Sequence, residues 1–250
     1  MPIFSYNNKM FDYNNKVFTT PWKPNRISNM IFWSDANSRN IVESDGLINM
    51  WRDNSGNFNN AVQSIENRKP TVINDVINGY PALYFQNSKC LNIPLYINYF
   101  TTFTVISSSN SNYIYEFSND ATNNTGFFLN GNINTLKVTF VSGMTIDTSS
   151  KNYTSNWLSS GGWKIVVHQY NGTHLSHRLI INKSNTLLTN VSTENPGALN
   201  KLDNLNLGSR YNGSYGINGY IPEFLVYNRY LELSEIFEIS DWLNSKYQIY

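Results

Sequence analysis

Short apolar or alternating runs recur along the chain, and clusters of Asn, Gly, Ser and Asp interrupt them about every 8–12 positions, the spacing of a β-sandwich or barrel. The runs at 30–33, 48–51, 82–85, 103–107, 113–117, 126–129, 136–141, 163–170, 178–181, 205–207 and 220–227 are predicted strands. Asn130-Gly131, directly after Phe127-Phe128-Leu129, is expected to supply the φ > 0 pair of a type I′ hairpin turn. A second hairpin is expected to join 179–181 to 186–188 through a loop at 182–185. Helical periodicity occurs once: Ile236, Ile239, Leu243 and Tyr247 share one helix face. Ser234 is the expected N-cap, Glu235 suits the positive end of the helix dipole, and Glu238, Asp241 and Lys246 should point outward. Residues 1–20 lack a sustained period and are read as an arm or edge strand ahead of a single domain at 21–250.

Composition narrows the functional classes. Only 14% of the residues are charged, 15% are aromatic, and 41 of 250 are Asn. Ordinary soluble domains carry ~25% charged residues, so amides and hydroxyls must supply much of the polar surface. A net charge of +1 with interspersed signs gives no basic stripe for nucleic acid. No run approaches the ~20 apolar residues of a membrane helix, and the first residues do not form a cleavable signal. Cys90, the single cysteine, cannot pair within the chain and reads as a small buried thiol.

The carboxylates do not form a hydrolytic pair. Glycosidic hydrolysis needs two carboxyls ~5–5.5 Å apart for retention or ~6.5–9.5 Å for inversion. Glu116 and Asp120 would be ~13 Å apart along one strand face at 3.3 Å per residue. Glu232, Glu235, Glu238 and Asp241 follow the helix repeat and read as a solvated face. His174 and His177 lie in or beside an expected loop without a full zinc ligand set. No Gly-x-Ser-x-Gly elbow is present. The expectation is a protein that is not an enzyme.

A family resemblance adds to this reading. Residues 21–36 (PWKPNRISNMIFWSDA), Ile48-Asn49-Met50-Trp51-Arg52-Asp53-Asn54-Ser55-Gly56-Asn57 and Asn78-Gly79-Tyr80-Pro81-Ala82-Leu83-Tyr84-Phe85 resemble, in order, the early strands of laminin-G-like domains of the concanavalin A-like lectin/glucanase superfamily. Leu207-Gly208-Ser209-Arg210, residues 218–229 and the segment from Leu233 to Tyr247 are similar to that family's closing strand and terminal helix. The resemblance implies an all-β, concanavalin A-like jelly-roll sandwich of two antiparallel sheets with a short C-terminal helix. It also implies that rim loops are the usual ligand site, and that Asp35 and Glu223 serve the scaffold, with Arg210, Arg229 or backbone groups as partners. Domains of this kind occur in viral (phage or giant virus) particle proteins and on bacterial surfaces. The implied function is therefore a virion surface, decoration or fibre protein. Its partners would be other virion proteins and a host surface glycan, in a homo-oligomer, without nucleic acid or membrane insertion. The alternative is a secreted or cell-surface carbohydrate-binding module; a glycoside hydrolase is less favoured.

A sugar is held by an aromatic ring under its apolar face and by amides and carboxylates around its hydroxyls. Trp157 and the run Tyr211-Asn212-Gly213-Ser214-Tyr215 bring those residue types together, so Trp157, Tyr211, Asn212 and Tyr215 are the candidate glycan-binding residues, with ordinary packing as the competing reading. Asp53, Asn54 and Asn57 carry oxygens that could ligate calcium. One carboxylate among amides favours a loop-fixing Asx-turn instead, and no other cofactor is implied. Trp33 and Trp51 read as core.

Overall fold

A computed structural model describes the backbone of residues 4–6, 9–11, 17–19, 22–97, 99–109, 112–118, 126–132, 135–142, 145–152, 162–171, 177–187, 204–211 and 213–250. In the strands before residue 22, from 118 to 152, at 177 and at 185–187, the backbone alone is described. Two antiparallel sheets form a concanavalin A-like jelly roll. The first runs Ser184–Leu187, His177–Ile181, Lys164–Tyr170, Phe100–Ser108, Gly219–Tyr227. The far edge of that last strand is shared: residues 223–227 pair with Met30–Asp35 and residues 219–221 with Tyr80–Phe85, beyond which lies Thr71–Ile77. The second sheet runs Ile41–Ser44, Leu47–Trp51, Ala61–Val62, Leu91–Ile93, Leu205–Leu207, Tyr113–Ser118, Gly126–Asn132, Thr135–Ser142, Thr145–Asn152. Among the described residues a single pairing, Leu47 with Thr71, links the two. Phe4–Tyr6, Lys9–Phe11 and Val17–Thr19 pair in a separate three-stranded sheet.

The central strands are buried on both faces, which is why Phe224-Leu225-Val226-Tyr227 is apolar without alternation. Phe32, Phe100, Phe224 and Val226 face the second sheet, where they meet Trp51, Tyr115, Phe117 and Leu207. Trp33, Phe103, Val105, Leu225 and Tyr227 point the other way and are covered by the helix Leu233–Tyr247 through Ile236, Ile239, Leu243 and Tyr247. Full burial of an aliphatic or aromatic side chain contributes about 1.5–3 kcal/mol, so those four residues are enough to dock the helix.

Four local expectations are corrected. The helix N-cap is Glu232, not Ser234; Glu232 and Glu235 form a reciprocal capping box, and Arg229 grips Glu235 through both terminal guanidinium nitrogens. A carboxylate at the N-cap thus replaces the hydroxyl, and Arg229 holds its box partner in place. Lys246 does not face solvent; its ammonium turns inward to Glu223 at 2.8 Å and Asp35 at 3.0 Å. Asn130-Gly131 continues a strand, because Asn130 pairs with Lys137, Gly131 with Leu136 and Asn132 with Thr135, so residues 126–132 pair along their whole length. The 177–187 hairpin turns in two residues rather than four, with Asn182 (φ 47°) and Lys183 (φ 63°) both left-handed, matching the twist of its strands.

Candidate functional site

The segment after Leu205–Leu207 crosses the sandwich rim and builds a compact aromatic surface. Leu207 pairs with Tyr115, so the chain leaves the second sheet beside the start of the 113–118 strand. Gly208 has φ +97°, and a Cβ there would lie 2.2 Å from the Phe85 ring, so the exit requires glycine. The segment then folds back on itself: Gly213 N–H donates to the Arg210 carbonyl at 2.8 Å and Arg210 N–H to the Ser214 carbonyl at 3.1 Å. Tyr113 N–H reaches the Tyr215 carbonyl at 2.9 Å, and the Asn112 amide donates to the Gly216 carbonyl at 2.9 Å.

Glu116 anchors the same segment from below. It is buried, and its carboxylate accepts the Tyr211 N–H at 2.7 Å with the Arg210 guanidinium 3.5 Å away. That guanidinium sits over the rings of Tyr113 (5.6 Å) and Tyr211 (5.9 Å), within cation–π range. Tyr113 and Tyr215 contact each other at 5.8 Å between centroids, and burial pushes the Tyr113 hydroxyl pKa up. Tyr215 is held at φ 53°, a conformation that costs a bulky residue about 1–3 kcal/mol and persists only where its surroundings fix it. The residue nonetheless stays 63% exposed. Of the candidate glycan-binding residues, Tyr211 and Tyr215 thus converge on one platform, while Trp157 and Asn212 lie outside the described residues. Sequence reasoning missed Tyr113, Arg210 and Glu116. A carboxylate inside an otherwise apolar strand, Tyr113–Ser118, was the available signal.

The other polar candidates serve the scaffold. Asp53 accepts four donors: the N–H groups of Trp33 (3.0 Å), Ser55 (2.8 Å) and Asn59 (3.0 Å), and the Ser55 hydroxyl (2.8 Å). Asn57 donates to the Met30 carbonyl, and the Asn54 N–H to that of Trp33. Four donors occupy the lone pairs of a carboxylate, so this loop is an Asx-turn staple and does not fit a calcium ion. Among the described residues no group of three His, Cys, Asp or Glu side chains is arranged to hold a metal.

Asp35 and Glu223 have Lys246 as their cation, because Arg210 is turned to Glu116 and Arg229 to Glu235. Glu223 also accepts from the Trp33 indole at 2.7 Å and the Tyr247 hydroxyl at 2.7 Å. Burial lifts the Glu223 carboxyl above its ordinary range, Lys246 opposes, and the nearby Asp35 charge adds to the rise. Burial acts on Asp35 in the same direction, but Lys246 and the Asn37 hydrogen bonds hold its pKa below the usual value. Trp51 is core, its indole donating to the Asp35 carbonyl at 2.7 Å. His168 lies between the sheets with Nδ1 bonded to the Tyr115 hydroxyl, and burial drops its pKa to about 3. Cys90 is buried beside Gln63, and burial raises its thiol pKa. His174 and Asp120 lie outside the described residues.

No family model matches the sequence, and no curated protein matches it. Among solved structures, the chain is similar to domain 4 of AbnA, an extracellular GH43 arabinanase from Geobacillus stearothermophilus, in complex with arabinotriose. That match has TM-score 0.60 and 12% identity over 85% of this chain and 98% of that one. It is also similar to the receptor binding domain of botulinum neurotoxin type G (TM-score 0.59, 15% identity, 86% of this chain, 52% of that one). The binding domain of botulinum neurotoxin DC in complex with SialylT matches with TM-score 0.56 and 15% identity over 88% of this chain and 52% of that one. The chain therefore spans about half the length of the toxin domains. At these identities the likeness establishes a shared fold.

Proposed function

We propose that this chain is a lectin-like module without catalytic activity, which binds a glycan on the Tyr113, Tyr211 and Tyr215 platform and is displayed on a virion surface or, alternatively, outside a cell. The observation that carries the reading is Tyr215: a ring kept exposed on a backbone fixed in the left-handed region is pre-ordered for stacking, so binding costs it little conformational entropy. The structural neighbours support the class, since one is a sugar-complexed domain of an arabinanase and others are receptor-binding domains. The described carboxylates that are buried, Asp35, Glu116 and Glu223, are engaged by cations and backbone donors as scaffold, which supports a non-catalytic role.

A glycan array probed with the full chain tests the proposal. The expected result is binding to a defined set of glycans, retained in chelator, and weakened at least about tenfold, ~1.4 kcal/mol, by Tyr215→Ala. An array with no hits, or hits indifferent to Tyr215→Ala, overturns it. Display on a particle predicts that the chain co-sediments with purified virions and that removing residues 1–20 releases it.

A further inference from the structure

Beyond the rim platform, the outer face of the first sheet carries a cleft of about 210 Å³ that the helix leaves open. Leu83, Phe85 and Ile221 point into the inter-sheet core, so their neighbours Tyr84 and Tyr220 point to the opposite, helix-bearing face. The helix reaches that face as far as Tyr80, which Tyr247 contacts at 5.4 Å between centroids. Tyr84 lies ~13 Å farther along the same strand at 3.3 Å per residue, past the last helical turn.

The floor of the cleft is aromatic. Tyr84 and Tyr220 lie 4.8 Å apart at 34°, and Trp163 backs Tyr220 at 6.2 Å. The wall is a set of hydroxyls and amides. The Tyr84 hydroxyl donates to the Asn218 side-chain oxygen at 2.8 Å. The Asn218 carbonyl meets three donors: the Ser109 N–H at 2.9 Å, the Ser109 hydroxyl at 3.1 Å and the Ser108 hydroxyl at 3.2 Å. A carbonyl has two lone pairs, so these donors compete, and the exposed Ser109 hydroxyl stands at the mouth where it can donate to a ligand oxygen instead. Gly219 keeps the wall close, because a Cβ there would lie 2.3 Å from the Ser107 carbonyl.

We propose that this cleft is a second saccharide site, distinct from the rim platform, that takes one uncharged sugar ring. A ring floor flanked by a few convergent polar groups is the general make-up of a small-molecule site, and the volume, below the ~300–1,000 Å³ of drug-sized pockets, holds a single ring and leaves the rest of a glycan outside. Among the described residues, every side chain lining it is neutral. A sugar carboxylate or sulfate placed there would lose hydration without gaining a cation. The site does not depend on the platform, although the same segment supplies both: Tyr215 and Asn218 are three residues apart, so their Cα atoms are separated by at most ~11 Å, and one extended glycan could touch both.

Amide-resolved NMR titration of the full chain separates the two sites. The probes are arabinose, galactose, glucose and N-acetylglucosamine as neutral sugars and N-acetylneuraminic acid as a charged one. The cleft is read at Ser108, Ser109 and Gly219, and the platform at Gly213 and Tyr215. The expected result is saturable shifts at the cleft with at least one neutral sugar, a coincident change in Trp163 fluorescence, and a loss of affinity of about tenfold or more in both Tyr220→Ala and Ser109→Trp. Ser109→Trp fills the cleft from an exposed position, so it keeps the test valid if Tyr220→Ala fails to fold. Silence at the cleft with every probe, a response to the charged sugar only, or shifts that survive Ser109→Trp overturns this proposal. A cleft that responds while the platform stays silent upholds it and counts instead against the platform.

Discussion

Replacing Lys246 with methionine isolates what fastens the helix to the sheet. Methionine keeps much of the apolar stem, and the Lys246 ammonium lies 4.9 Å from the Tyr247 ring centroid, 5.3 Å from Tyr80 and 5.6 Å from Trp242. The lost charge therefore dominates. Glu223, 0% exposed, would retain the Trp33 and Tyr247 hydrogen bonds but face Asp35 without a cation. Removing one partner of a buried pair costs about 3–5 kcal/mol, a large part of the ~5–15 kcal/mol that holds a typical domain together. An exposed pair would cost only ~0.2–1 kcal/mol. Urea unfolding near neutral pH should show the loss as a lower midpoint at unchanged slope.

The pH dependence has a definite sign. Glu223 has a raised folded pKa, so between its ordinary value of 4.5 and that higher value the folded state binds more protons, and stability rises as pH falls through the window. Losing Lys246 lifts the carboxyl further and widens the window in the variant. Asp35 works the other way in the native protein: Lys246 holds it low, so its contribution is present above 3.8 and is lost as pH falls through its folded value. Both effects narrow the gap between Lys246→Met and the native chain in acid. The double variant Glu223→Gln, Lys246→Met should recover part of the stability, since it removes the fully buried Glu223 charge and leaves only Asp35, which keeps its Asn37 and Asn40 hydrogen bonds. A deficit below about 1 kcal/mol near neutral pH, or one that does not narrow toward pH 4.5, refutes this reasoning.

Gly216→Ala should destabilise by about 1–3 kcal/mol in thermal or urea unfolding, because the new Cβ would lie 1.5 Å from the Asn87 carbonyl oxygen. By displacing the loop beside Tyr215, it should also weaken glycan binding. The His168 imidazole, with a folded pKa near 3 against an ordinary 6.5, leaves the unfolded state holding more protons between those values. Stability should therefore fall as pH drops below 6.5, and unfolding curves of His168→Gln should lack that slope.

Each of the runs read as a strand falls on an observed strand, because a half-buried or fully buried strand must be apolar on at least one face. The strands that escaped are very short or lack that mark; Leu91–Ile93 is apolar but only three residues long, and Ala61–Val62 only two. Thr145–Asn152, an edge strand of the second sheet, is Thr-Ile-Asp-Thr-Ser-Ser-Lys-Asn, and Thr71–Ile77 is broken by Asp75 at φ 54° with an irregular register. Tyr211 and Tyr215 were legible as aromatics among turn residues. Tyr113 and Glu116 were not, since Glu116 and Tyr211 meet across 95 residues, a pairing fixed by sheet register. Lys246 was misread because periodicity identifies the apolar face of a helix but not which sheet residues lie beneath its margins. The available hint was the pair of acids, Asp35 and Glu223, inside apolar strands, where each buried charge needs a partner.

The scarcity of charge takes on a physical meaning once the partners are known. Asp35, Glu116, Glu223 and Glu235 are spent inside the fold on Lys246, Arg210 and Arg229, so these ions act as scaffold. The platform and the cleft are left with rings, hydroxyls and amides, and Arg210 at the platform already faces Glu116. Recognition built this way gains little from long-range attraction. Raising salt from about 0.1 M to about 1 M shortens the screening length from ~10 Å to ~3 Å, which would sharply weaken a charge-steered complex. Here the dissociation constant for a neutral glycan, measured by calorimetry across that range, should stay flat. A tenfold loss, ~1.4 kcal/mol, would mean that charged groups carry the binding and that neither neutral surface is the site.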